Sequence, residues 1–261
     1  MRFRIDAIVL ALLASFGLIL PAATANAAAV PNPSWDTAGA WTNIFQDGFA
    51  GTTLKASDWN PGWFGTGNTG PVNSLEAAGY SSSHVSVSGG YLHLSLTKTP
   101  ITTSKGTFPN TGALVDSNGK FSFTYGAVEF RAYLPPRPNG QIANWPATWA
   151  DGMGVWPTTG EMDVMEGLLG PACYHFHDPL GGPGACAPAT QNYSGWHTFG
   201  AQWQPGSVTY YYDGKNVGSI TTGITGDPMY LVMDYTVNAN DPTPVIPSTM
   251  LVDWVRVWKQ A

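Results

Sequence analysis

Apolar side chains recur at every second position through much of this chain, and the intervals between those runs are filled by Gly, Pro and Asp-Gly pairs. Val85 and Val87, then Gly89-Gly90, then Leu92, Leu94 and Leu96 read as a hairpin. Thr209 to Tyr212, then Asp213-Gly214, then Lys215 to Ile220 read as a second, because Asp-Gly supplies the positive φ that a two-residue turn needs. Period two places alternate side chains on one face of a strand, so these runs predict half-buried antiparallel strands. Further strands are expected at Ala127 to Leu134, Glu161 to Glu166, Trp196 to Trp203, Tyr230 to Val237 and Met250 to Trp258. No segment carries a capped helical stripe, and 31 Gly and 21 Pro in 261 residues break any long one. Many short strands with turn signals between them make an all-β sandwich or barrel.

The N-terminus stands apart. Arg2 and Arg4 precede the apolar run Ala7 to Leu20, then Pro21 and Ala25-Asn26-Ala27, the order of a secretory signal ending in a small-residue cleavage site. Residues 1–27 are therefore expected to be a signal peptide, with an uncleaved anchor as the alternative. Residues 28–40 are expected to form an extended arm and 41–261 one domain. Cleavage removes Arg2, Arg4 and Asp6 and leaves a secreted, extracellular chain with no membrane segment. With 11 basic against 17 acidic residues, no cationic footprint for nucleic acid exists. Disorder is excluded by a 43% hydrophobic content.

Only 11% of the residues are charged, which makes Gly160-Glu161-Met162-Asp163-Val164-Met165-Glu166-Gly167 conspicuous. In a regular strand Glu161 and Asp163 face one side and Glu166 the other. One β-bulge between them restores the phase and turns all three carboxylates to one face. Carboxylates so gathered repel, which divides them into a proton donor and an ionised partner, the division glycoside hydrolysis requires. A solvated acidic strand or a calcium-binding edge is the alternative. Nearby, Glu129, Arg131 and Tyr133 share one strand face, a row suited to sugar hydroxyls and ring faces, or to a salt-bridged surface. Trp145, Trp149 and Trp156 lie in Pro-containing segments and offer stacking platforms or core. Cys173 and Cys186, in a secreted chain, are expected to pair across a short Gly/Pro-rich segment. A metal site on these cysteines with His175 and His177 is the alternative.

These residues resemble glycoside hydrolase family 16. The likeness runs through Asp47-Gly48-Phe49, Tyr125-Gly126-Ala127-Val128-Glu129-Phe130-Arg131, Trp145-Pro146-Ala147-Thr148-Trp149 and Glu161-Met162-Asp163-Val164-Met165-Glu166. It continues in Trp196-His197-Thr198-Phe199, Trp203, Tyr212-Asp213-Gly214 and Val252-Asp253-Trp254-Val255-Arg256-Val257. The Glu-x-Asp-x-x-Glu spacing resembles the bulged, laminarinase-like branch. The resemblance implies a concanavalin-like jelly roll of two curved antiparallel sheets, with residues 41–261 the catalytic domain and the catalytic strand on the concave face. It implies Glu161 as nucleophile, Glu166 as general acid/base and Asp163 as the assistant that bonds the nucleophile. Glu129 and Arg131 resemble the pair beside the nucleophile that binds sugar, Trp145 and Trp149 the cleft aromatics, and His175 or His177 the cleft histidine. Asp253, with backbone oxygens near Asp47 and Gly48, resembles a structural calcium site; no other cofactor is required.

The function so implied is a secreted, retaining endo-glycosidase on β-1,3 or mixed β-1,3/1,4-glucan, monomeric, with polysaccharide as its partner. An agarase-like galactan hydrolase, a transglycosylase, and a non-catalytic carbohydrate-binding lectin on the same sandwich are the alternatives.

Overall fold

The computed structural model describes residues 29–65, 67–188 and 190–261; the expected signal peptide lies outside them. In chain order the strands are β1 (Trp41–Asp47), β2 (Asn60–Pro61), β3 (Ala78–Tyr80), β4 (Val85–Ser88), β5 (Tyr91–Leu96) and β6 (Ile101–Thr103). Next come β7 (Gly106–Phe108), β8 (Asn110–Asp116), β9 (Gly126–Leu134), β10 (Trp145–Gly152), β11 (Glu161–Gly167) and β12 (Ala172–His177). The last six are β13 (Gly184–Cys186), β14 (Gly195–Gln204), β15 (Ser207–Tyr212), β16 (Lys215–Ile220), β17 (Met229–Thr236) and β18 (Ser248–Gln260). Among the described residues, helical structure is confined to two short 3-10 turns, Trp63–Gly65 and Ser82–His84. No helix there is long and apolar enough to cross a membrane.

The large strands form two eight-stranded sheets. One runs β16-β15-β14-β9-β18-β5-β4, with β1 also paired to β18. The other runs β13-β12-β11-β10-β17-β8-β2, with β3 added in parallel to β8. Both expected hairpins form. Gly89 and Gly90 join β4 to β5 with φ of 61° and 82°, and Asp213 and Gly214 join β15 to β16 with φ of 49° and 71°. Two successive positive φ values match the right-handed twist of the flanking strands.

Alternation then decides what each sheet hides. Leu92, Leu94 and Leu96 of β5 and Val128, Phe130, Ala132 and Leu134 of β9 are fully buried in one core with Met162, Phe176, Leu231 and Met233 of the second sheet. Truncating a ring as enclosed as Phe130 to Ala would cost about 3–5 kcal/mol. This is the jelly-roll sandwich expected, with Pro31–Ala261 forming one compact unit.

The N-terminal arm is not simply extended. It turns at Ser34 and Trp35, where the Asp36 N–H donates to the Pro33 carbonyl at 3.0 Å. Trp35 stacks on Tyr211 with ring centroids 4.4 Å apart. Gly200 makes room for that ring, since a Cβ there would lie 2.2 Å from it. An aromatic partner on the sheet thus outweighs the extended bias of Pro31 and Pro33.

Candidate active site

The second sheet presents its other face to a cleft of about 710 Å³. The bulge expected in β11 is there. Trp149 pairs with Asp163 and Thr148 with Met165, so Val164 is the extra residue on the β10 side, and the pairing with β12 shifts between Asp163 and Glu166 as well. Val164 and Met165 consequently both enter the core, and Glu161, Asp163 and Glu166 all line the cleft. Opposite them on β10 stand Asp151, Trp149 and Ala147 in that order.

Each acid has its own partners. Glu161 Oε2 accepts from Trp156 Nε1 at 2.6 Å. Glu166 is held at both oxygens, by Trp145 Nε1 at 3.0 Å and by His175 Nδ1 at 2.7 Å. His177 Nε2 lies 3.2 Å from Asp163 Oδ2 and 4.0 Å from Glu161 Oε1. The two histidines on one face of β12 therefore serve different carboxylates, which answers the choice between them: both reach the site. Burial lowers the pKa of His177, which keeps it neutral and able to accept as well as donate.

Electrostatics separate Asp163 from Glu161. Burial, then the charges of Glu166 and Glu161, hold Asp163 well above the usual carboxylate range. Burial, then the charge of Asp151, raises Glu161, while the Trp156 N–H opposes the rise. Their mutual hydrogen bond raises Asp163 and lowers Glu161, so within the pair it favours the proton on Asp163, while burial and the charge of Asp151 still push Glu161 up to about 8.

Trp63, Glu76, Asp151 and Asp234 also line the cleft, with Tyr80 and Tyr230 bonded to them, and none of the six was singled out from the sequence. Trp149 Nε1 donates to Asp234 at 2.7 Å, and the Tyr80 hydroxyl bonds Glu76 at 2.7 Å and Asp234 at 3.1 Å. Burial pushes Glu76 up to about 7 and Asp234 well above its ordinary value. The Tyr230 hydroxyl donates to Asp151 Oδ2 at 2.6 Å, and Trp63 stacks near Trp149 with centroids 5.8 Å apart. Asp151 had a signal, since Trp145, Trp149 and Asp151 are in phase on β10. Asp234 had another, as a lone acid in the otherwise apolar run Met229 to Tyr235. Lys105 is the one Lys or Arg among the described residues lining the cleft, and its Nζ donates to the Pro71 carbonyl at 2.6 Å.

Several expectations are corrected. Glu129, Arg131 and Tyr133 share a face, but β9 belongs to the first sheet and that face points away from the cleft. Glu129 accepts from both the backbone and the hydroxyl of Ser34, Arg131 pairs with Asp253 and lies 4.7 Å over the Trp196 ring, and Tyr133 packs beside the same ring. Two-residue periodicity fixes which side chains share a face, not which sheet the strand joins. Asp253 does not fit a calcium ion: its carboxylate is taken by Arg131, Arg256 feels its charge as well, and the Asp47 carboxylate instead accepts from Phe49, Lys55 and Trp59. Lys55 and Arg131 thus compete with a hard cation, which needs six to eight oxygens, for these two carboxylates.

Cys173 and Cys186 form a disulfide directly across the β12–β13 ladder. The alternative metal site on them falls, since a bonded cysteine offers no thiolate. Donor atoms close enough to hold an ion occur instead in two sets, Glu161, Asp163 and His177, and Asp163, Glu166 and His175, each set within 4.8 Å. Within these sets His175 hydrogen-bonds Glu166, and His177 lies 3.2 Å from Asp163.

A two-sheet antiparallel jelly roll with a bulged strand of acids across its cleft defines a class: carbohydrate-active β-sandwiches whose working groups are carboxylates. The profile for Glycosyl hydrolases family 16 matches residues 76–256, and the chain belongs to that family. It is 29% identical over 269 residues to Glucan endo-1,3-beta-glucosidase A1 of Niallia circulans, covering 83% of this chain and 38% of that protein. It is 32% identical over 169 residues to Keratan-sulfate endo-1,4-beta-galactosidase of Sphingobacterium multivorum, covering 56% of this chain and 39% of that one. The chain thus spans about two-fifths of the length of these curated relatives. The catalytic domain of an endo-1,3-beta-glucanase (laminarinase) from Thermotoga petrophila superposes with a TM-score of 0.72 at 26% identity, over 85% of this chain and 99% of that one.

Proposed function

We propose that the chain is a secreted, retaining endo-glycosidase that hydrolyses β-1,3 or mixed β-1,3/1,4-glucan by double displacement. The observation that carries this reading is the bulge that brings Glu161, Asp163 and Glu166 to one cleft face. Glu161 attacks the anomeric carbon in its ionised form, with the proton of the pair on Asp163. Glu166 protonates the departing oxygen, then takes a proton from the water that hydrolyses the glycosyl-enzyme. Asp163 holds the hydrogen bond to Glu161 through both steps. Trp63, Trp145 and Trp149 supply ring faces for pyranose units. This chemistry draws on no redox or organic cofactor. Secretion rests on the reading of residues 1–27, and the monomeric state on the absence of any requirement for a second chain in this chemistry.

Two relatives point to different polymers, a glucan and keratan sulfate. Six acids line the cleft against Lys105, and burial holds five of them, Glu76, Asp151, Glu161, Asp163 and Asp234, toward their neutral forms, so among the described lining residues Lys105 alone could pair with sulfate and the lining favours a neutral chain. The test is a reducing-end assay against laminarin, lichenan, agarose and carrageenan in parallel. Cleavage of laminarin or lichenan is expected. Cleavage confined to agarose or carrageenan would move the assignment to a galactan hydrolase, and polysaccharide binding without new ends to a lectin. Chain-lengthened products would indicate transglycosylation. NMR of the first product is expected to show retained configuration; inversion would remove Glu161 from its role.

A further inference from the structure

Asp151 occupies the cleft floor beside Glu161, and the sequence reading gave it no part in the site. It stands opposite Glu161 on one side and opposite Tyr230 on the other. Tyr230 fixes its rotamer by donating to Oδ2 at 2.6 Å. The residue is only 9% exposed, yet Oδ1 has no hydrogen-bond partner. Buried polar atoms are almost always satisfied, and a charged one left bare costs stability without return. Oδ1 is itself closed off from solvent, and an acceptor held rigid and unpaired on a cleft-lining residue gains its partner when a ligand seats against that residue. The lining favours a neutral chain, and a sugar hydroxyl is the donor that a neutral glucan brings.

We propose that Asp151 is a substrate-binding residue whose Oδ1 hydrogen-bonds a hydroxyl of the sugar unit seated against Glu161. The proposal rests on the glycosidase reading. It adds a contact beyond the bulged triad and ties recognition to the same cross-strand pair that positions Glu161. Tyr230 acts through Asp151 as its buttress.

The test compares Asp151→Asn, Asp151→Leu and Tyr230→Phe with the wild-type protein on laminarin and lichenan, with melting temperatures recorded for each. The Asn variant keeps size and shape, and Tyr230 then holds its amide oxygen, turning an NH2 group to the cleft in place of an acceptor. Both Asp151 variants are expected to lose at least about tenfold in kcat/KM; Asp151→Asn, which keeps an acceptor for Tyr230, should melt no lower than wild type, whereas Asp151→Leu, which leaves the buried Tyr230 hydroxyl without one, should melt lower. Tyr230→Phe, which leaves Oδ1 in place, is expected to lose less than about threefold. Wild-type kcat/KM in Asp151→Asn and Asp151→Leu would overturn the proposal while leaving the glycosidase reading intact. Equal losses in Tyr230→Phe with lowered melting temperatures in all three would also overturn it, by showing a purely structural pair. A wild-type protein inert on every glycan would remove both readings together.

Discussion

The cleft face of one sheet and the outer face of the other use the same residue types to opposite ends. On the outer face Asp253 meets Arg131, and Glu129 meets Ser34 and the field of Arg256, so each acid is tied to a hydroxyl or a guanidinium. In the cleft the acids meet Trp and Tyr: Trp145, Trp149 and Trp156 donate indole N–H groups to Glu166, Asp234 and Glu161, and Tyr230 its hydroxyl to Asp151. A guanidinium neutralises a carboxylate and holds it ionised. An indole N–H orients it and leaves its charge to be governed by burial and by the other acids. The first arrangement makes a surface stable, and the second keeps protons exchangeable where a sugar would bind.

Breaking the cleft arrangement gives the largest expected effect. Glu161→Ala should lower activity on the cleaved glucan by at least about a thousandfold, as loss of a nucleophile does elsewhere. The same variant should melt at or above the wild-type temperature, because a desolvated carboxylate among like charges has been removed. Activity within a few-fold of wild type would end the nucleophile assignment, and a large fall in melting temperature would mean the cleft acids are structural after all.

The contrast also shows what a sequence can tell. Both hairpins were legible because Gly89-Gly90 and Asp213-Gly214 carry the turn's dihedral requirement in their own chemistry. The bulge was legible because three acids at odd separation are intolerable unless they share a face. Glu129, Arg131 and Tyr133 were read correctly as sharing a face and wrongly as facing the cleft. Sheet membership is set by long-range pairing, and β9 is flanked by β14 and β18, strands remote in sequence. The pairing of Asp253 was not legible for a related reason: its partner Arg131 lies 122 positions away. Asp151 and Asp234 were overlooked because neither repeats a motif; each is a lone acid whose meaning comes from the Tyr or Trp across the ladder.

A second way to sharpen the comparison is pH. Glu76 is raised to about 7 and Glu161 to about 8, and Asp151, Asp163 and Asp234 are also raised, all led by burial. For such acids the folded state binds more protons than the unfolded one between the unfolded and folded pKa values. Stability therefore falls as pH rises through that window. Glu76 alone, moving from 4.5 to about 7, accounts for roughly 3 kcal/mol between about pH 4 and pH 8. Within the Asp213–His197 pair the lowered Asp213 loses its contribution as pH falls below its ordinary range, an opposing effect at low pH, whereas the raised His197 loses its own as pH rises through its folded pKa and adds to the fall. Thermal melts should thus show a higher melting temperature near pH 5 than near pH 8, and Glu76→Gln should reduce the difference without abolishing it. A melting temperature that climbs from pH 5 to pH 8 would contradict the account of buried, repelling acids.

The smallest effect is expected on the outer face. Arg131→Ala removes the pair with Asp253 and the contact over Trp196, at a site where the arginine side chain is 37% and the aspartate 30% exposed. Solvent screening limits such a pair to about 1 kcal/mol or less, and the ring contact adds a comparable amount at most. For a domain of this size that corresponds to a melting shift of about 2–4 °C per kcal/mol. Activity should remain within about twofold of wild type, because nothing on this face reaches the cleft. A fall in kcat/KM of about tenfold or more, with the melting temperature unmoved, would mean that Arg131 binds sugar as its motif suggests. The division between a reactive face and a neutralised one would then have been drawn in the wrong place.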